Sequence, residues 1–402
     1  MSRQSRTTQP VGLWLIGARG SISTCVAYGL SGIVEGRIGP VGLVTETEPL
    51  ASLPLVPLEN LVLGGHDVCT RSLTNSAAEL VRSQVLPPDL VEMSAARAAA
   101  FDANIAPGLL DGPDVGFADL DPRSAELGSA SPREQIERIQ ADLRGFVVEH
   151  GLEHLVVVNL ASTEAWYEDR DEWDDLADFE AALDAERSQP ASIIYAYSAL
   201  DAGFSYVNFT PSRGSSSAAL RALAEERGTP HAGSDGKTGE TLLKTVLAPM
   251  FRARALKVRA WQGYNMLGNR DGEILHDPSH RISKLRNKDE ALRSILEDPD
   301  MHSHVSIDFV PSLSDWKTAW DFVHFEGFLG AEMSLQFTWQ GSDSALAAPL
   351  VLDLARLCTL SAARGEVGAL AHLACFFKAP LTGGSHAFQT QFDALLDYAG
   401  SS

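Results

Sequence analysis

The stretch from Gly233 to Lys288 concentrates residue types that can do chemistry. It opens with Gly-Ser-Asp-Gly-Lys-Thr-Gly-Glu, runs through an apolar helical pattern, and continues in a second glycine-rich segment, Tyr-Asn-Met-Leu-Gly-Asn-Arg-Asp-Gly, at residues 264–272. Two lysines four residues apart, Lys284 and Lys288, close it. Carboxylates, amides and primary amines grouped on glycine-rich turns can transfer protons and stabilise oxyanions. The pattern therefore predicts a reaction site.

Lysine is rare in this chain and confined to its later part. Seven of the 32 basic residues are lysine, and none precedes position 237. Lysine can lose its proton and act as a base, whereas arginine stays charged. Most single lysines are ordinary solvated charges, which is the alternative for each one. Their restriction nevertheless indicates positions that need an amine: Lys237, Lys244, Lys257, Lys284, Lys288, Lys317 and Lys378.

Length and charge limit the class of protein. At 402 residues the chain exceeds one ordinary core, so two domains are expected, with a single large α/β unit as the alternative. Its 45% hydrophobic and 21% charged residues are typical of a soluble globular protein. The net charge of −21 argues against nucleic acid or an anionic membrane as a partner, because both are negatively charged. An anionic substrate would need a local basic pocket, and the late lysines can supply one.

Cysteine usage and the N-terminal residues favour a cytoplasmic protein. Cys25, Cys69, Cys358 and Cys375 lack the paired spacing of a zinc site or a redox motif. Buried thiols in a reducing compartment are therefore expected. The first ten residues are polar, and the apolar run after them is too short for a signal sequence or a membrane span.

The first apolar run predicts the start of a dinucleotide-binding unit. Val11–Ile16 has the pattern of a buried strand, and a glycine turn then leads into a helix. The free N–H groups at such a helix start can bind a phosphate. A tight turn without any ligand is an equal alternative, because the glycine fingerprint is degenerate. The candidate phosphate-binding residues are Gly17, Ala18, Arg19, Gly20, Ser21 and Ile22.

Two further early positions are candidates for cofactor contacts. The run Val41–Val44 is predicted to be the second strand, and Glu46 follows it. An acid there can bind ribose hydroxyls, which favours NAD over its 2′-phosphorylated relative. Gly65 would let the backbone approach a ligand closely, although its glycine pair could equally be a loop. His66 is interpreted as structural, because the sequence shows no partner for it.

Polar clusters follow the next two predicted strands, Leu155–Val158 and Tyr206–Phe209. Ligands bind beyond the carboxyl ends of strands in open parallel sheets, so both clusters are candidate cofactor contacts. Helix capping is an alternative of similar weight. The candidates are Asn159, Ala161, Ser162, Thr163 and Ser212. Arg213 adds a cation to the second cluster, where a phosphate is one option.

The pattern changes near Pro311. The chain becomes β-rich and aromatic, without alternating strands and helices, which indicates a second domain. A long apolar helix begins at Ala345, and Lys378 directly follows an apolar run. A charge in that position is either extended to solvent or functional.

Many ordered motifs in this chain resemble those of the myo-inositol-1-phosphate synthase family, especially its archaeal-type branch. The likeness runs from Trp14 to about Leu381, and an ordered series over nearly the whole chain is far more specific than any single glycine turn. The matching segments are residues 17–20, 64–66, 159–164, 208–212, 233–240, 264–268, 271–272, 284 with 288, 321–329 and 377–380.

The resemblance implies an α/β fold with a Rossmann-like doubly wound parallel sheet. Residues 1–234, completed by 345–402, would form the NAD-binding domain, and 235–344 an inserted α+β catalytic and tetramerisation domain. It also implies a homotetramer. The implied reaction closes glucose 6-phosphate into a cyclitol phosphate: C5 is oxidised by NAD, C6 is deprotonated and attacks the C1 aldehyde, and the ketone is reduced again.

The resemblance also implies roles for individual residues. Lys284 would act on the C5 hydroxyl, Lys378 on the enolate or C5 oxygen, and Lys288 with Lys317 on the phosphate and C1 carbonyl. Lysines that lie close together lower one another's pKa, so one of them can be a base near neutral pH. Their implied polar partners are Asp235, Asp271, Asp343 and Asn265. Asp235, Lys237 and Thr238 are also implied cofactor contacts, while a divalent or monovalent cation is left open.

Arg213 and Ser234 depart from the archaeal-branch pattern, so the sugar or its pose is an open choice. The nearest alternative applies the same chemistry to fructose 6-phosphate and gives a five-membered cyclitol phosphate. A net NAD-dependent dehydrogenase of a sugar phosphate is a second alternative, and a non-catalytic NAD-binding or assembly protein is a third.

Overall fold

The computed structural model describes residues 9–110, 119–268, 292–298 and 301–400, and two β-sheets organise them. The first sheet has seven strands, all parallel to their neighbours, in the order β11-β6-β5-β4-β1-β2-β3. Its strands are β1 (Val11–Ile16), β2 (Leu61–Asp67), β3 (Ile105–Pro107), β4 (Leu155–Asn159), β5 (Ser205–Asn208), β6 (Pro230–Gly233) and β11 (Gly368–Ala369).

The strand order reverses between β1 and β4, which are neighbours at the centre of the sheet. Such a reversal opens a crevice beyond the carboxyl ends of the strands, where ligands bind in open α/β sheets. The predicted Rossmann-like doubly wound fold is therefore confirmed. The predicted strands beginning at Val11, Leu155 and Tyr206 are confirmed as well.

Helices cover both faces of the first sheet, and one further helix packs against the second sheet. They are α1 (Ser21–Val34), α2 (Leu73–Arg82), α3 (Pro88–Met93), α4 (Ala95–Ala103), α5 (Pro122–Gly128), α6 (Pro132–His150), α7 (Leu176–Asp184), α8 (Ala191–Asp201), α9 (Ala218–Arg227), α10 (Glu240–Ala253), α11 (Asp343–Ala363) and α12 (Phe388–Gly400). Alternate β1 side chains face opposite cores: Leu13 and Leu15 pack with α1 and α11, while Trp14 and Ile16 pack with α6 and α8. This two-sided burial explains why β1 is apolar throughout.

The second strand of the sheet is not where the sequence predicted it. Val41–Val44 is no strand: Pro40 and Gly42, whose φ is +96°, break the run, and Val44–Glu46 is a short 3-10 helix. The strand beside β1 is β2, which contains the Gly64-Gly65 pair. A Cβ on Gly65 would lie 2.2 Å from the carbonyl oxygen of Leu15. The close approach that this glycine permits is therefore that of β1.

The second sheet has four strands in the order β10-β9-β7-β8. They are β7 (Lys257–Leu267), β8 (His302–Phe309), β9 (Trp316–Glu326) and β10 (Glu332–Ser342). α10 packs on one face through Ala248 and Phe251, which join Trp261 and Val323 in a small apolar core. The interpretation of residues 264–268 as part of a turn was wrong for Tyr264 and Asn265, because both lie within β7.

One described helix, α11, has the length and apolar composition of a membrane span. Its most apolar window is 72% buried, and the helix packs against α1. Two of its buried residues are charged, and both are bonded within the fold: Asp353 accepts from the backbone of Val44 and Thr45, and Arg356 donates to the carbonyl of Val56. α11 is therefore a core helix of this fold.

Candidate active site

The turn between β6 and α10, residues 234–239, carries a buried ion pair. Lys378 Nζ lies 2.7 Å from Asp235 Oδ1, and the Lys378 backbone N–H donates to the Asp235 carbonyl at 2.7 Å. The two residues are 7% and 3% exposed. Asp235 has a φ of 62°, which costs energy for a residue other than glycine and is common at functional sites. Asp235 and Lys378 are 143 positions apart in the sequence, and the fold brings these two predicted site residues together.

A second contact joins the same turn to the start of α11. Thr238 Oγ1 donates to Asp343 Oδ1 at 2.9 Å. Asp343 follows the last residue of β10, and Gly341 in β10 pairs with Lys317 in β9. Lys317 is only 7% exposed. Asp235, Thr238, Asp343, Lys317 and Lys378 are therefore brought to one region of the molecule by the turn and the adjoining strand ends.

Asn265 belongs to the same region. It is fully buried in β7 and donates from Nδ2 to the carbonyl of Ser306 at 3.3 Å. Asn265 pairs with Ala319 in β9, and Ala319 is two residues from Lys317. Because side chains two apart on a strand share a face, Asn265 and Lys317 occupy diagonal positions on the face that packs on α10. An amide and an amine so placed can both stabilise an oxyanion.

The fold lowers the pKa of Lys237, which lies in the same turn. Burial lowers its pKa from 10.5 to about 8; the nearby Cys375 opposes this, and the Lys378 ammonium adds to it. Its Nζ donates to Gln391 Oε1 of α12 at 2.5 Å. The expected lowering of lysine pKa by close neighbours is thus present at Lys237, although burial is the larger cause.

The start of α1 suits a phosphate. Gly17 has a φ of 83°, and the N–H groups of Gly17 and Ala18 donate to the carbonyl of His66. Within the described part of the chain, no side chain caps the first turn of α1, which begins at Ser21 after Gly20. The first N–H groups of a helix need acceptors, and an anion can provide them. This chain therefore fits the pyrophosphate of a dinucleotide at α1.

The loops after β4 and β5 meet beside that turn. A Cβ on Gly17 would lie 3.1 Å from the backbone of Ala161. Asn159 Oδ1 accepts from Ala161 N at 3.1 Å, and Ser212 Oγ accepts from Glu164 N at 3.1 Å. A cavity of about 160 Å³ lies here, lined by Glu164, Ala165, Trp166, Tyr167, Pro211, Ser212, Arg213, Ser216 and Ser234. Ser162 and the buried Thr163 lie in the loop between Ala161 and Glu164.

Asp67 is a residue of the site that sequence reasoning missed. It ends β2, and its carboxylate accepts from Arg19 N at 2.7 Å and from Cys69 N at 2.9 Å. This is the position after the second strand at which a ribose-binding acid is expected. Glu46 had been placed there, but its carboxylate lies 2.6 Å from Arg356 of α11. The Gly-Gly-His-Asp run at residues 64–67 carried the signal. Its aspartate was overlooked because the second strand was predicted at Val41–Val44 and not at β2.

Arg213 contacts several residues of the segment after β4. Its guanidinium lies 2.5 Å from Asp169, donates to the carbonyl of Tyr167 at 2.8 Å, and stacks on Trp166 and Trp173. These contacts hold the segment after β4 against the end of β5. The role of Arg213 as an added phosphate cation stays a prediction, and its side chain lines the cavity beside Ser212.

Three predicted site residues, Asp271, Lys284 and Lys288, lie outside the described residues. His66 is fully buried and accepts from Trp14 Nε1 at 3.0 Å, which confirms its interpretation as structural. The four cysteines are buried and free, also as expected.

A crevice at the reversal of a parallel sheet, with an uncapped helix start on one side and buried amines on the other, defines a dinucleotide-binding α/β enzyme. The comparison with known families agrees. The sequence profile of an NAD-binding family described as myo-inositol-1-phosphate synthase matches residues 45–399. The chain belongs to the myo-inositol-1-phosphate synthase family.

Relatives extend over nearly the whole chain. Inositol-3-phosphate synthase 1 of Bacteroides thetaiotaomicron is 30% identical over 409 residues, which cover 96% of this chain and 91% of that protein. Inositol-3-phosphate synthase of Trypanosoma brucei brucei is 30% identical over 395 residues, covering 89% and 74%. The crystal structure of inositol-3-phosphate synthase from Caenorhabditis elegans shares the fold, with a TM-score of 0.86 at 23% identity over 98% of this chain and 86% of that one.

Proposed function

We propose that this chain is an NAD-dependent cyclitol phosphate synthase that converts D-glucose 6-phosphate to 1D-myo-inositol 3-phosphate. The observation that carries the proposal is the buried Asp235–Lys378 pair, which lies at the turn linking the dinucleotide sheet to the second sheet. A charged amine held at that junction can act on a sugar bound beside a nicotinamide ring. Family membership and 30% identity to an inositol-3-phosphate synthase over 96% of the chain support the same reaction.

NAD, when bound, would accept hydride from C5 and return it after ring closure. The residues of the chain handle the protons and the charge, and a neutral lysine of the set takes the C6 proton while a protonated one supplies a proton to the C1 oxygen. Lys284 removes the proton of the C5 hydroxyl, and Lys378, oriented by Asp235, stabilises the C5 or enolate oxygen. Lys288 and Lys317 bind the phosphate and the C1 carbonyl. Asp271, Asp343 and Asn265 are the acidic and amide partners of these lysines in the proposed site.

The cofactor is held by the start of α1 and the strand ends around it. The turn at residues 17–22 binds the pyrophosphate, and Asp67 takes the ribose position first assigned to Glu46. Its carboxylate already binds two N–H groups, which keeps it in place. The loops that carry Asn159, Ala161, Ser162, Thr163 and Ser212 would hold the cofactor together with Asp235, Lys237 and Thr238. Gly65 contributes by allowing β1 and β2 to pack.

Residues 235–344 form the catalytic and assembly domain in this proposal, and 1–234 with 345–402 form the NAD-binding domain. All four strands of the second sheet fall in the first range, and β11 returns to the parallel sheet, which supports the division. The protein is a homotetramer in the cytoplasm. The face of the second sheet away from α10 supports assembly, because Tyr264 and Trp320 are 38% and 36% exposed there and contact one another.

The test is product formation from defined substrates. The protein with NAD and glucose 6-phosphate should give a six-membered cyclitol phosphate by NMR, with no net rise in NADH absorbance. Turnover of fructose 6-phosphate instead would establish the alternative substrate, and accumulating NADH would establish a net dehydrogenase. Parallel assays with and without a chelator decide whether a divalent cation is needed, and exchange of potassium for sodium tests a monovalent one.

A further inference from the structure

Three charged residues outside the proposed catalytic set form a buried charge cluster. Lys244 Nζ lies 2.6 Å from Glu240 Oε1 and 3.4 Å from Asp321 Oδ1. Glu240 is 1% exposed, Lys244 2% and Asp321 0%. Groups of this kind are almost never so fully buried unless they are paired. The burial of these three charges therefore needs a physical explanation.

The surroundings of the cluster are closely fitted to it. Trp261 Nε1 donates to Asp321 Oδ1 at 2.8 Å. A Cβ on Gly263 would lie 2.5 Å from Glu240 Oε1 and 2.8 Å from Lys244 Nζ, so only glycine leaves room for this arrangement. Burial by itself would lower the pKa of Lys244, but the two carboxylates outweigh burial and raise it. Lys244 is therefore a permanent cation between two acids.

The cluster connects the two elements that carry the proposed catalytic groups. Glu240 is the first residue of α10 and directly follows the turn with Asp235 and Thr238. Asp321 lies on β9 four residues after Lys317, so both side chains are on the same sheet face. Lys244, one helical turn into α10, bridges Glu240 of its own helix to Asp321.

Stability alone does not explain such a cluster. Neutral or apolar residues of similar size often give the same or greater stability than a buried ion pair, because desolvation offsets the attraction. Buried ionic groups can instead select one geometry, since they tolerate few alternative packings.

We propose that the buried charge cluster of Glu240, Lys244 and Asp321 is a positioning device that fixes the turn at 234–239 relative to β9. It thereby sets the distance between the Asp235–Lys378 pair and Lys317 across the substrate. The three residues act through those groups and touch no substrate. The inference rests on the proposed function, because its readout is the cyclisation.

The experiment neutralises the whole cluster with residues of similar size, in the variant Glu240→Gln, Lys244→Met, Asp321→Asn. No buried charge is left unpaired, so the variant should fold, with a melting temperature close to that of the wild type. We expect kcat for cyclitol phosphate formation to fall roughly 10- to 100-fold, as displacement of catalytic groups by about 1 Å does. The dissociation constant for NAD should change far less than kcat, because the phosphate turn at residues 17–22 and Asp67 are not altered. A folded variant with wild-type kcat would overturn the proposal.

A second pair of variants covers the case in which the triple change fails to fold. Gly263→Ala pushes a methyl group against Glu240 and Lys244, whereas Gly145→Ala, in α6, places its methyl group in open space. Gly263→Ala should lower kcat far more than it weakens NAD binding, and Gly145→Ala should change neither. Equal kcat in both would sink the positioning role. Absence of product from the wild-type protein would instead refute the proposed function.

Discussion

At the scale of single residues, the site depends on how the fold handles buried charge. Asp235 and Lys378 are both buried and are bonded to each other by side chain and by backbone. Removing one partner of such a pair leaves the other charge buried and unmatched, which is costly. The pair should therefore behave as a unit in catalysis and in stability.

Asp235→Asn and Lys378→Met should each reduce kcat by roughly 100-fold or more, because each removes charge needed in the transition state. The double variant should be little worse than the worse single variant, since residues that act as a unit are non-additive. Steady-state kinetics of cyclitol phosphate formation checks this. Glu297→Gln, which breaks an exposed ion pair with Arg252, is the matched control and should leave kcat unchanged. If the two single losses in kcat multiplied in the double variant, Asp235 and Lys378 would not act as a unit.

The lowered pKa of Lys237 predicts that the stability of the fold depends on pH. Its pKa is lowered to about 8 in the folded chain from 10.5, so between these values the unfolded chain binds more protons. Stability therefore rises with pH across this window, and the cost of burying the ammonium, on the order of 3 kcal/mol, is fully present below pH 8.

Lys237→Met should remove that dependence. The difference in unfolding free energy between variant and wild type should favour the variant most below pH 8 and shrink as pH approaches 10.5. Denaturant unfolding without NAD, at several pH values, measures it. Lys257→Met, which changes an exposed lysine, is the matched control. A flat difference for Lys237→Met would show that its amine is not titrating in this range.

At the scale of elements, the position of β2 decides where the cofactor site is. β2 pairs with β1 so closely that Gly65 has no room for a side chain, and Asp67 at its end binds the backbone of Arg19 in the glycine turn. The strand thus ties the phosphate turn to the acid expected at the ribose. A loop at this place would not fix either one.

Gly65→Ala should destabilise the fold by roughly 1–3 kcal/mol, because the added methyl group would overlap the β1 backbone and force the strands to shift. Chemical denaturation monitored by circular dichroism measures the free energy of unfolding. Gly29→Ala, a helical glycine in α1 with open space around it, is the control and should be neutral or slightly stabilising. A Gly65→Ala protein as stable as wild type would show that β1 and β2 are less closely packed.

At the scale of the whole molecule, the second sheet has one covered face and one open face. α10 covers one, while the other carries an aromatic row in which Tyr264, Trp320, Phe322 and His324 succeed one another. The β9–β10 connection adds Phe328 and Leu329, which are 88% and 89% exposed. An exposed aromatic row on a sheet is a surface that association would bury.

Trp320→Glu should therefore shift the proposed homotetramer to smaller species, because a carboxylate placed in a buried apolar interface is unfavourable. Sedimentation velocity at matched protein concentration measures the change. Val148→Glu alters an apolar side chain that is 81% exposed on α6, and it should leave the assembly unchanged. A tetramer that persists in Trp320→Glu would assign assembly to another surface.

The sequence by itself determined the local elements and the list of reactive groups. The apolar strands at Val11, Leu155 and Tyr206 were all readable, because buried strands are encoded within a few residues. The restriction of lysine to the later chain indicated amine chemistry in the same way.

Only the tertiary structure decided which groups meet. Asp235 and Lys378 are 143 residues apart, Thr238 and Asp343 105, and Arg356 and Glu46 310. Such contacts depend on the order of strands in the sheet and on helix packing. The sequence pattern of one strand or helix contains no information about either. Non-local pairing also explains why the second strand begins at Leu61 and not at Val41, where it was predicted. A strand is defined by its neighbour in the sheet as much as by its own residues.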